Sequence, residues 1–513
     1  MPQLFPNRFR IPVLLFINCV LILIPAWSGS ARQATPTAET QNQLQAVIPE
    51  AHDELGAVMD SGLTSYTIDV TMSDGADSGR LTGDVRIAYV NNTDSAQESL
   101  PLRMFANGDD DPMTITEAKV AGSDVEPVLS VSETVATLLL DERLDIGEAV
   151  DLAYSFESSV PFGNQIHYGI YGIDEVENTW ALAHWYPMVA GWVDGAGWQL
   201  DPPSVNGDAI FSTTSTYDVT IRAAADYKLV TTGVEISRDV DEDSDEQATR
   251  FVTGPVRDFT IVADDDFVLS SIDIDGSTVN SWYLPGEDEN GAMVAEYAAR
   301  SLEYFNEVIG PYPFAELDVL SVEVYGALGV EFPQLIYMAR DYYSQDIALE
   351  APNNLEFTVA HEVLHQWWYS MVGNNQYDHA FMDEGLTNYV SGDLYFRHIY
   401  GEEAGEAFSF QAFRDSYERG LESRGDQIVD MPTDDYPTGG EYVFAMYFKA
   451  AVGFSEIQEV TGRDAFLEGL QLYFERYRFD VAEPEDLQEA LEEASGEDLD
   501  DIWNLWFEDS TAA

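Results

Sequence analysis

The 513-residue sequence predicts two domains: an all-β domain of sandwich or saddle form, then an α+β domain that ends in helices. From about residue 63 to 268, short runs such as 65–72 and 84–90 alternate polar and apolar residues, which is typical of half-buried strands. Beyond that region, apolar residues recur at helical spacing instead. We therefore assign the β domain to 61–272 and the second domain to 273–513.

The second domain opens with a helix predicted over 288–309, which the Gly-Pro-Tyr-Pro sequence at 310–313 ends. Two strands should follow, and helices then dominate to the end of the chain. The two strands predicted in the second domain are 317–324 and 334–338, and its later helices include 355–369, 484–495 and 499–507.

In the β domain, the acidic run 239–246 is predicted to be a solvated hairpin loop.

The first 31 residues have the pattern of an export signal. Arg8 and Arg10 precede the almost entirely apolar stretch 11–27, and small residues follow as far as Ala31. We expect cleavage near Ala31 and a secreted, extracellular or cell-envelope location. An uncleaved anchor, which would attach the protein to a membrane, is the alternative. Cys19 is the only cysteine, so the mature chain could form no disulfide.

Residues 32–60 are rich in Ala, Thr, Gln and Pro, and they are predicted to be a linker. The charge of the whole chain is extreme, with 93 acidic residues against 23 basic ones and a formal net charge of −70. Such a surface repels nucleic-acid phosphates, which excludes nucleic acid as a partner. It favours a halophilic or salt-tolerant source, and an acidic extracellular protein that binds calcium is the alternative.

The strongest motif is His361-Glu362-Val363-Leu364-His365, within a predicted helix. Residues four apart lie on one helix face, so both imidazoles can bind one zinc ion, and Glu362 can act as the general base. Glu384 follows His365 after eighteen residues and can supply a third ligand. Three protein ligands leave one position for water, as in catalytic zinc sites. We therefore expect one zinc ion per chain.

These residues and their flanks resemble the aminopeptidase N-like family of zinc peptidases. The sequence 361–368, His-Glu-Val-Leu-His-Gln-Trp-Trp, and the sequence 382–385, Met-Asp-Glu-Gly, are similar to the family's HExxH motif and its later glutamate motif. The resemblance covers most of residues 60–513. It implies that the second domain is a thermolysin-like catalytic domain, that the activity is that of an aminopeptidase, and that the substrates are peptides with a free N-terminus.

Two further family motifs have counterparts here. The sequence 329–333, Gly-Val-Glu-Phe-Pro, resembles the family's Gly-x-Met-Glu-Asn segment, which implies substrate binding by Gly329 and capture of the substrate α-amine by Glu331. The sequence 447–450, Tyr-Phe-Lys-Ala, resembles a helix start whose tyrosine stabilises the oxyanion, so Tyr447 inherits that role. Tyr442 and Tyr436 are the rivals for it. Large family members carry an additional helical domain, which we do not expect here.

Three functions follow as alternatives. The favoured one is a zinc aminopeptidase that uses a metal-activated water. A thermolysin-like endopeptidase shares the metal helix, but Glu331 and the β domain argue against it. A non-catalytic binding protein on the same scaffold is the third. Among the secondary residues, Asp383 is a candidate partner of a zinc histidine and His379 is interpreted as a loop residue. Lys449 is notable because the chain has so few lysines, and a simple surface charge is the alternative for it. The sequence leaves the oligomeric state open.

Overall fold

The computed structural model describes residues 37–108, 113–163, 169–207, 210–344 and 352–510, all within one compact unit. The predicted export signal lies outside these residues. Among the helices of the described ranges, none combines the length and the apolar character needed to cross a lipid bilayer.

The segment predicted as a linker is folded from residue 37 onward. Helix α1 spans Ala38–Gln43, where Thr37 caps its start, and helix α2 spans His52–Asp60. Leu55 and Met59 lie one helical turn apart and are buried. These few apolar residues are spaced among polar ones, so the composition of the segment concealed an amphipathic helix. The structure therefore corrects the linker prediction for residues 37–60.

In the residues that the structure describes, the β domain contains four sheets. The largest has eight strands in the order β16-β17-β14-β1-β2-β8-β4-β5, and the others have the orders β15-β18-β10-β9, β11-β3-β7-β6 and β12-β13. The strands are β1 Thr64–Ser73, β2 Gly79–Val90, β3 Gln97–Arg103, β4 Met113–Val120, β5 Ser123–Asp124, β6 Val128–Ser130, β7 Val135–Leu144, β8 Ala149–Val160, β9 Tyr171–Ile173, β10 Trp180–Leu182, β11 Met188–Val189, β12 Trp192–Val193, β13 Gly197–Trp198, β14 Ser215–Ala224, β15 Lys228–Thr231, β16 Val234–Asp241, β17 Glu246–Val252 and β18 Ile261–Asp264.

Alternation of side chains explains these strands. In β2, every second residue from Gly79 to Tyr89 is buried, because successive side chains of a strand point to opposite faces. The acidic run forms the end of the β16–β17 hairpin, where Asp241 pairs with Glu246, as predicted. The all-β character predicted for the first domain is confirmed.

The second part of the chain builds on a five-stranded sheet with the order β19-β20-β21-β23-β22. Strand β19 spans Val268–Ile274, so it runs across the predicted boundary at 272. The remaining strands are β20 Ser277–Tyr283, β21 Glu316–Val322, β22 Gly329–Phe332 and β23 Leu335–Ala339. Strand β22 forms an edge of the sheet and pairs antiparallel with β23.

Helices fill the rest of the second domain, in agreement with the prediction. Within the described part of this domain, π-helical turns occur at Val390–Tyr395, Phe410–Arg414, Phe444–Lys449 and Asn504–Glu508. The α-helices are α3 Asp288–Val308, α4 Asp341–Ser344, α5 Asn354–Leu364, α6 Glu384–Tyr389, α7 Phe396–Tyr400, α8 Glu402–Ser409, α9 Asp415–Arg424, α10 Gly439–Val443, α11 Ala450–Thr461, α12 Arg463–Tyr477, α13 Pro484–Ser495 and α14 Asp500–Trp503.

Candidate metal centre and active site

Helix α5 carries the first half of the site. Asn353 caps it by accepting a hydrogen bond from the backbone N–H of Glu356. The helix ends at Leu364, earlier than the predicted 369, so that His365 is its C-terminal cap. Tyr369 has φ 101°, a left-handed value that a right-handed helix cannot accommodate. The chain leaves the helix at Tyr369, after a last turn in which the N–H groups of Trp367 and Trp368 donate to the Leu364 carbonyl at 2.8 and 3.3 Å.

Three side chains converge beside this helix end. His361 Nε2 lies 3.1 Å from His365 Nε2 and 3.1 Å from Glu384 Oε2, and His365 Nε2 lies 3.6 Å from the same oxygen. A tetrahedral zinc ion held at about 2.0–2.1 Å from each ligand atom keeps those atoms about 3.3 Å apart. The two imidazoles and the carboxylate therefore fit one such ion without rearrangement.

The charge at this triangle also suits a cation. Burial raises the pKa of Glu384, but its bonds to both histidines outweigh burial and hold the pKa well below its usual range. Burial lowers the pKa of His361, and Glu384 opposes that shift only in part. For His365 the balance reverses: the neighbouring carboxylates overcome burial and raise its pKa to about 9. The ionised carboxylate of Glu384 thus supplies negative charge beside the two imidazoles, which suits a bound cation.

His365 is oriented by a backbone group. Its Nδ1 lies 3.1 Å from the carbonyl oxygen of Trp368, so Nδ1–H donates there and Nε2 is left to face the metal position. Asp383, the partner proposed from the sequence, instead accepts hydrogen bonds from Asn374 and Gln376. It acts on His365 only through its charge. The sequence offered no signal for the role of the Trp368 carbonyl.

Strand β22 brings the predicted substrate-binding residues to the same place. Oxygen atoms of Glu331 and Glu362 and a nitrogen of His365 lie within 4.8 Å of one another. Both carboxylates are buried. A β-carbon on Gly329 would lie 2.5 Å from Glu362 Oε1 and 2.6 Å from its Cγ. Gly329 thus leaves the space that the Glu362 carboxylate occupies.

Tyr447 also contacts this group. It lies in the π-helical turn between α10 and α11, and not at a helix start as predicted from the resemblance. Its hydroxyl donates to Glu384 Oε1, and its ring centre is 6.1 Å from that of His361. Burial and the charge of Glu384 raise its pKa well above 10, so the hydroxyl keeps its proton. The rival Tyr436 donates instead to the carbonyls of Ile428 and Val429.

Lys449 and His379, which the sequence singled out without a firm role, also have defined polar partners. Lys449 is almost fully buried and forms an ion pair with Asp426 at 3.1 Å, which rules out the alternative of a simple surface charge. Its ammonium also donates to the carbonyls of Gln427 and Asp509. His379 lies in a loop, as expected, and its Nδ1 is 2.6 Å from Asp430 Oδ1.

Comparison with known proteins finds peptidases, in agreement with the family resemblance of the sequence. The profile of the peptidase family M1 domain matches residues 293–506. Aminopeptidase M1-B of Oryza sativa subsp. japonica is 25% identical over 254 residues, which are 47% of this chain and 28% of that protein. Aminopeptidase 2 of Candida albicans is 25% identical over 311 residues, 56% of this chain and 32% of that protein. The match thus spans under a third of the length of either relative.

Among solved structures, an M1 zinc metallopeptidase from Deinococcus radiodurans superposes with a TM-score of 0.61 at 16% identity, covering 88% of this chain and 94% of that one. A variant of it, bound to the substrate Tyr-Ser-Ala, gives a TM-score of 0.62 at 17% identity, with 88% and 95% covered. These likenesses establish the fold of two domains. The match of residues 293–506 to the peptidase family M1 domain agrees with the resemblance to the aminopeptidase N-like family.

Proposed function

We propose that this protein is a zinc-dependent aminopeptidase, which hydrolyses the N-terminal peptide bond of peptides. The observation that carries the proposal is the triangle of His361 Nε2, His365 Nε2 and Glu384 Oε2, whose sides suit one tetrahedral ion. The carboxylates of Glu362 and Glu331 lie beside this triangle. One zinc ion per chain is the expected stoichiometry.

The roles of the surrounding side chains follow from their positions. Zinc, when bound, supplies Lewis acidity and lowers the pKa of a bound water. Glu362 takes a proton from the attacking water and passes it to the leaving amine. Tyr447 donates a hydrogen bond to the oxyanion that develops on the scissile carbonyl. One such donor typically stabilises the transition state by about 3 kcal/mol.

Glu331 determines where the substrate is cut. It is a buried carboxylate on the edge strand of the sheet, close to Glu362. A charge-assisted hydrogen bond to the substrate ammonium would hold the free N-terminus one residue away from the metal. The enzyme would then release one amino acid at each turnover, and an endopeptidase would have no use for such a group.

A panel of aminoacyl fluorogenic substrates tests the proposal. We expect hydrolysis that a chelator abolishes and Zn²⁺ restores, and no hydrolysis of the same compounds after N-acetylation. Continued cleavage of the acetylated compounds would indicate an endopeptidase. Glu362→Gln should bind zinc normally but lose at least 100-fold in kcat, since general base catalysis contributes about 10²–10⁴-fold. Full biological effect of that variant would indicate a non-catalytic binding protein.

We also propose that the protein is exported and comes from a salt-rich environment. The pattern of residues 1–31 and the net charge of −70 support this proposal. N-terminal sequencing of protein recovered outside the cells should begin near residue 32. A chain that begins at Met1 would indicate an uncleaved anchor.

A further inference from the structure

The direction of His365 depends on the turn that follows helix α5. His361 lies within the helix, so the helix backbone determines its direction. His365 is the cap, where that constraint ends, and the Nδ1 contact to the Trp368 carbonyl, 3.1 Å, takes over. Whatever holds the Trp368–Tyr369 peptide in place therefore also holds the His365 ring.

That peptide is held in an unfavourable conformation. Tyr369 has φ 101°, a value at which a β-carbon is strained and which glycine normally occupies. Such strain costs on the order of 1–3 kcal/mol, and it persists only where surrounding contacts impose it. Within the turn, Tyr369 N–H donates to the Val372 carbonyl at 2.9 Å. That bond closes the turn but does not anchor it to the rest of the protein.

The anchor is Arg257 of the β domain, which is 2% exposed. Its Nε donates to the Tyr369 carbonyl at 2.7 Å, and one Nη donates to the carbonyls of Met371, at 3.4 Å, and Asp480. Its other Nη donates to the Ser212 carbonyl in the β domain. The guanidinium thus joins the β domain to the turn by donating to several backbone carbonyls at once, which its five N–H groups allow.

Two further contacts strengthen this arrangement. A β-carbon on Gly373 would lie 2.1 Å from Arg257 Cζ, so the backbone of residue 373 lies directly against the guanidinium. The next residue of the β domain, Asp258, is fully buried and accepts a hydrogen bond from the Tyr369 hydroxyl at 3.1 Å. Arg257 and Asp258 therefore hold the backbone and the side chain of the same strained residue.

We propose that Arg257 is a positioning residue for the metal ligand His365. Through Tyr369 and the Trp368 carbonyl, the β domain orients the His365 ring so that Nε2 faces the metal position. The proposal rests on the metal site proposed above. It gives the β domain a role in metal binding that is separate from any contact with substrate.

Metal affinity of folded protein tests this role. We expect Arg257→Met to raise the Kd for zinc, measured by chelator competition, about 10- to 100-fold, as is usual when a partner of a metal ligand is lost. The visible spectrum of the Co²⁺-loaded variant should also change, because one imidazole is misdirected. The matched control is Arg103→Met, which removes another buried β-domain arginine that bonds to backbone carbonyls, those of Gln199 and Asp201. It should leave both readings unchanged.

The outcomes are separable. If wild-type protein binds no zinc, the proposed function fails. If wild type binds zinc and folded Arg257→Met binds it equally tightly with the same Co²⁺ spectrum, only the positioning role is overturned. Should Arg257→Met not fold, Arg257→Lys decides, since it keeps the cation but loses the multidentate geometry. Weakened zinc binding supports the proposal, and wild-type affinity refutes it.

Discussion

At the scale of single residues, Gly329 offers the most direct test of active-site geometry. We expect Gly329→Ala to lower kcat about 100-fold, because the new methyl group would displace the Glu362 carboxylate, and misplacement by about 1 Å can have that effect. Zinc content should not change. Gly291→Ala is the control, since its β-carbon would meet the Tyr283 ring at 2.1 Å in helix α3, away from the site. Activity equal to wild type in Gly329→Ala would contradict this geometry.

Asp318, on strand β21, makes stability depend on pH in an unusual direction. Burial and the charge of Glu316 raise its pKa to about 8, while Trp282 Nε1–H donates to Oδ1 at 2.7 Å. The folded carboxyl keeps a proton that the unfolded chain releases above about pH 4. The folded state therefore loses stability as pH rises from about 4 to 8.

Asp318→Asn removes that dependence, because the amide oxygen can still accept from Trp282 but carries no charge. We expect the variant to be more stable than wild type at pH 8, by on the order of 2 kcal/mol, and the difference to vanish near pH 4. Urea unfolding of both proteins across this pH range measures the difference. If the free energies of unfolding of the two proteins instead change in parallel with pH, the pKa of Asp318 is the same in the folded and unfolded chains.

The sequence predicted residues whose relation is local and missed those whose relation is distant. His361 and His365 could be paired because a four-residue spacing determines their relative direction on a helix. The burial of Lys449 could not be predicted, because it depends on Asp426 and on the carbonyl of Asp509, sixty residues away. No local sequence pattern predicts such a contact.

At the scale of elements, Gln366 connects helix α5, which carries the metal-binding motif, to the hairpin that carries Glu331. It is fully buried, its Oε1 accepts from the Gln334 N–H at 2.8 Å, and its Nε2 donates to the Phe332 carbonyl at 3.0 Å. The side chain thus sets the distance between helix α5 and the β22–β23 hairpin. It was not among the residues predicted to matter.

We expect Gln366→Leu to lower the free energy of unfolding by about 2–4 kcal/mol, because two buried backbone groups lose their partners. KM for free-amine substrates should rise more than kcat falls, since the hairpin with Glu331 loses its support. Gln471→Leu, which removes one hydrogen bond to the Val308 carbonyl in a half-buried place, is the control. An unchanged KM in folded Gln366→Leu would separate the hairpin from amine recognition.

Elements were predictable where their periodicity was strong. Helix α13 has the predicted bounds 484–495, and helix α3 ends within one residue of its prediction. Helix α5 ends five residues early. Tyr369 has a left-handed φ, and its carbonyl accepts a hydrogen bond from Arg257 of the β domain, a contact that no local sequence pattern encodes. Residues 37–60 were missed because their helices are short and depend on the core they contact.

At the scale of the whole molecule, the two domains share one hydrophobic core. Ile68 of strand β1 and Val363 of helix α5 belong to the same cluster of buried side chains. The resemblance to a known family predicted which domains are present and their order. It could not predict how they are joined, since the bonds of Arg257 link residues more than a hundred positions apart.

The net charge of −70 belongs to the molecule as a whole, and its effect should depend on salt. Because the basic residues number only 23 against 93 acidic ones, most carboxylates cannot be matched by a basic residue, and their like charges repel one another. Screening shortens the range of their repulsion from about 10 Å at 0.1 M salt to about 3 Å at 1 M. We therefore expect the Tm to rise by roughly 10 °C between 0.1 and 2 M NaCl, as repulsion in the folded state weakens.

The identity of the cation distinguishes screening from specific binding. If screening accounts for the rise, choline chloride and KCl should match NaCl at equal ionic strength, because a diffuse ion atmosphere needs no coordination site. If the acidic surface instead binds calcium, millimolar CaCl₂ at low ionic strength should raise the Tm while choline chloride does not. A Tm that stays constant from 0.1 to 2 M in all three salts would mean that the fold tolerates its charge without screening.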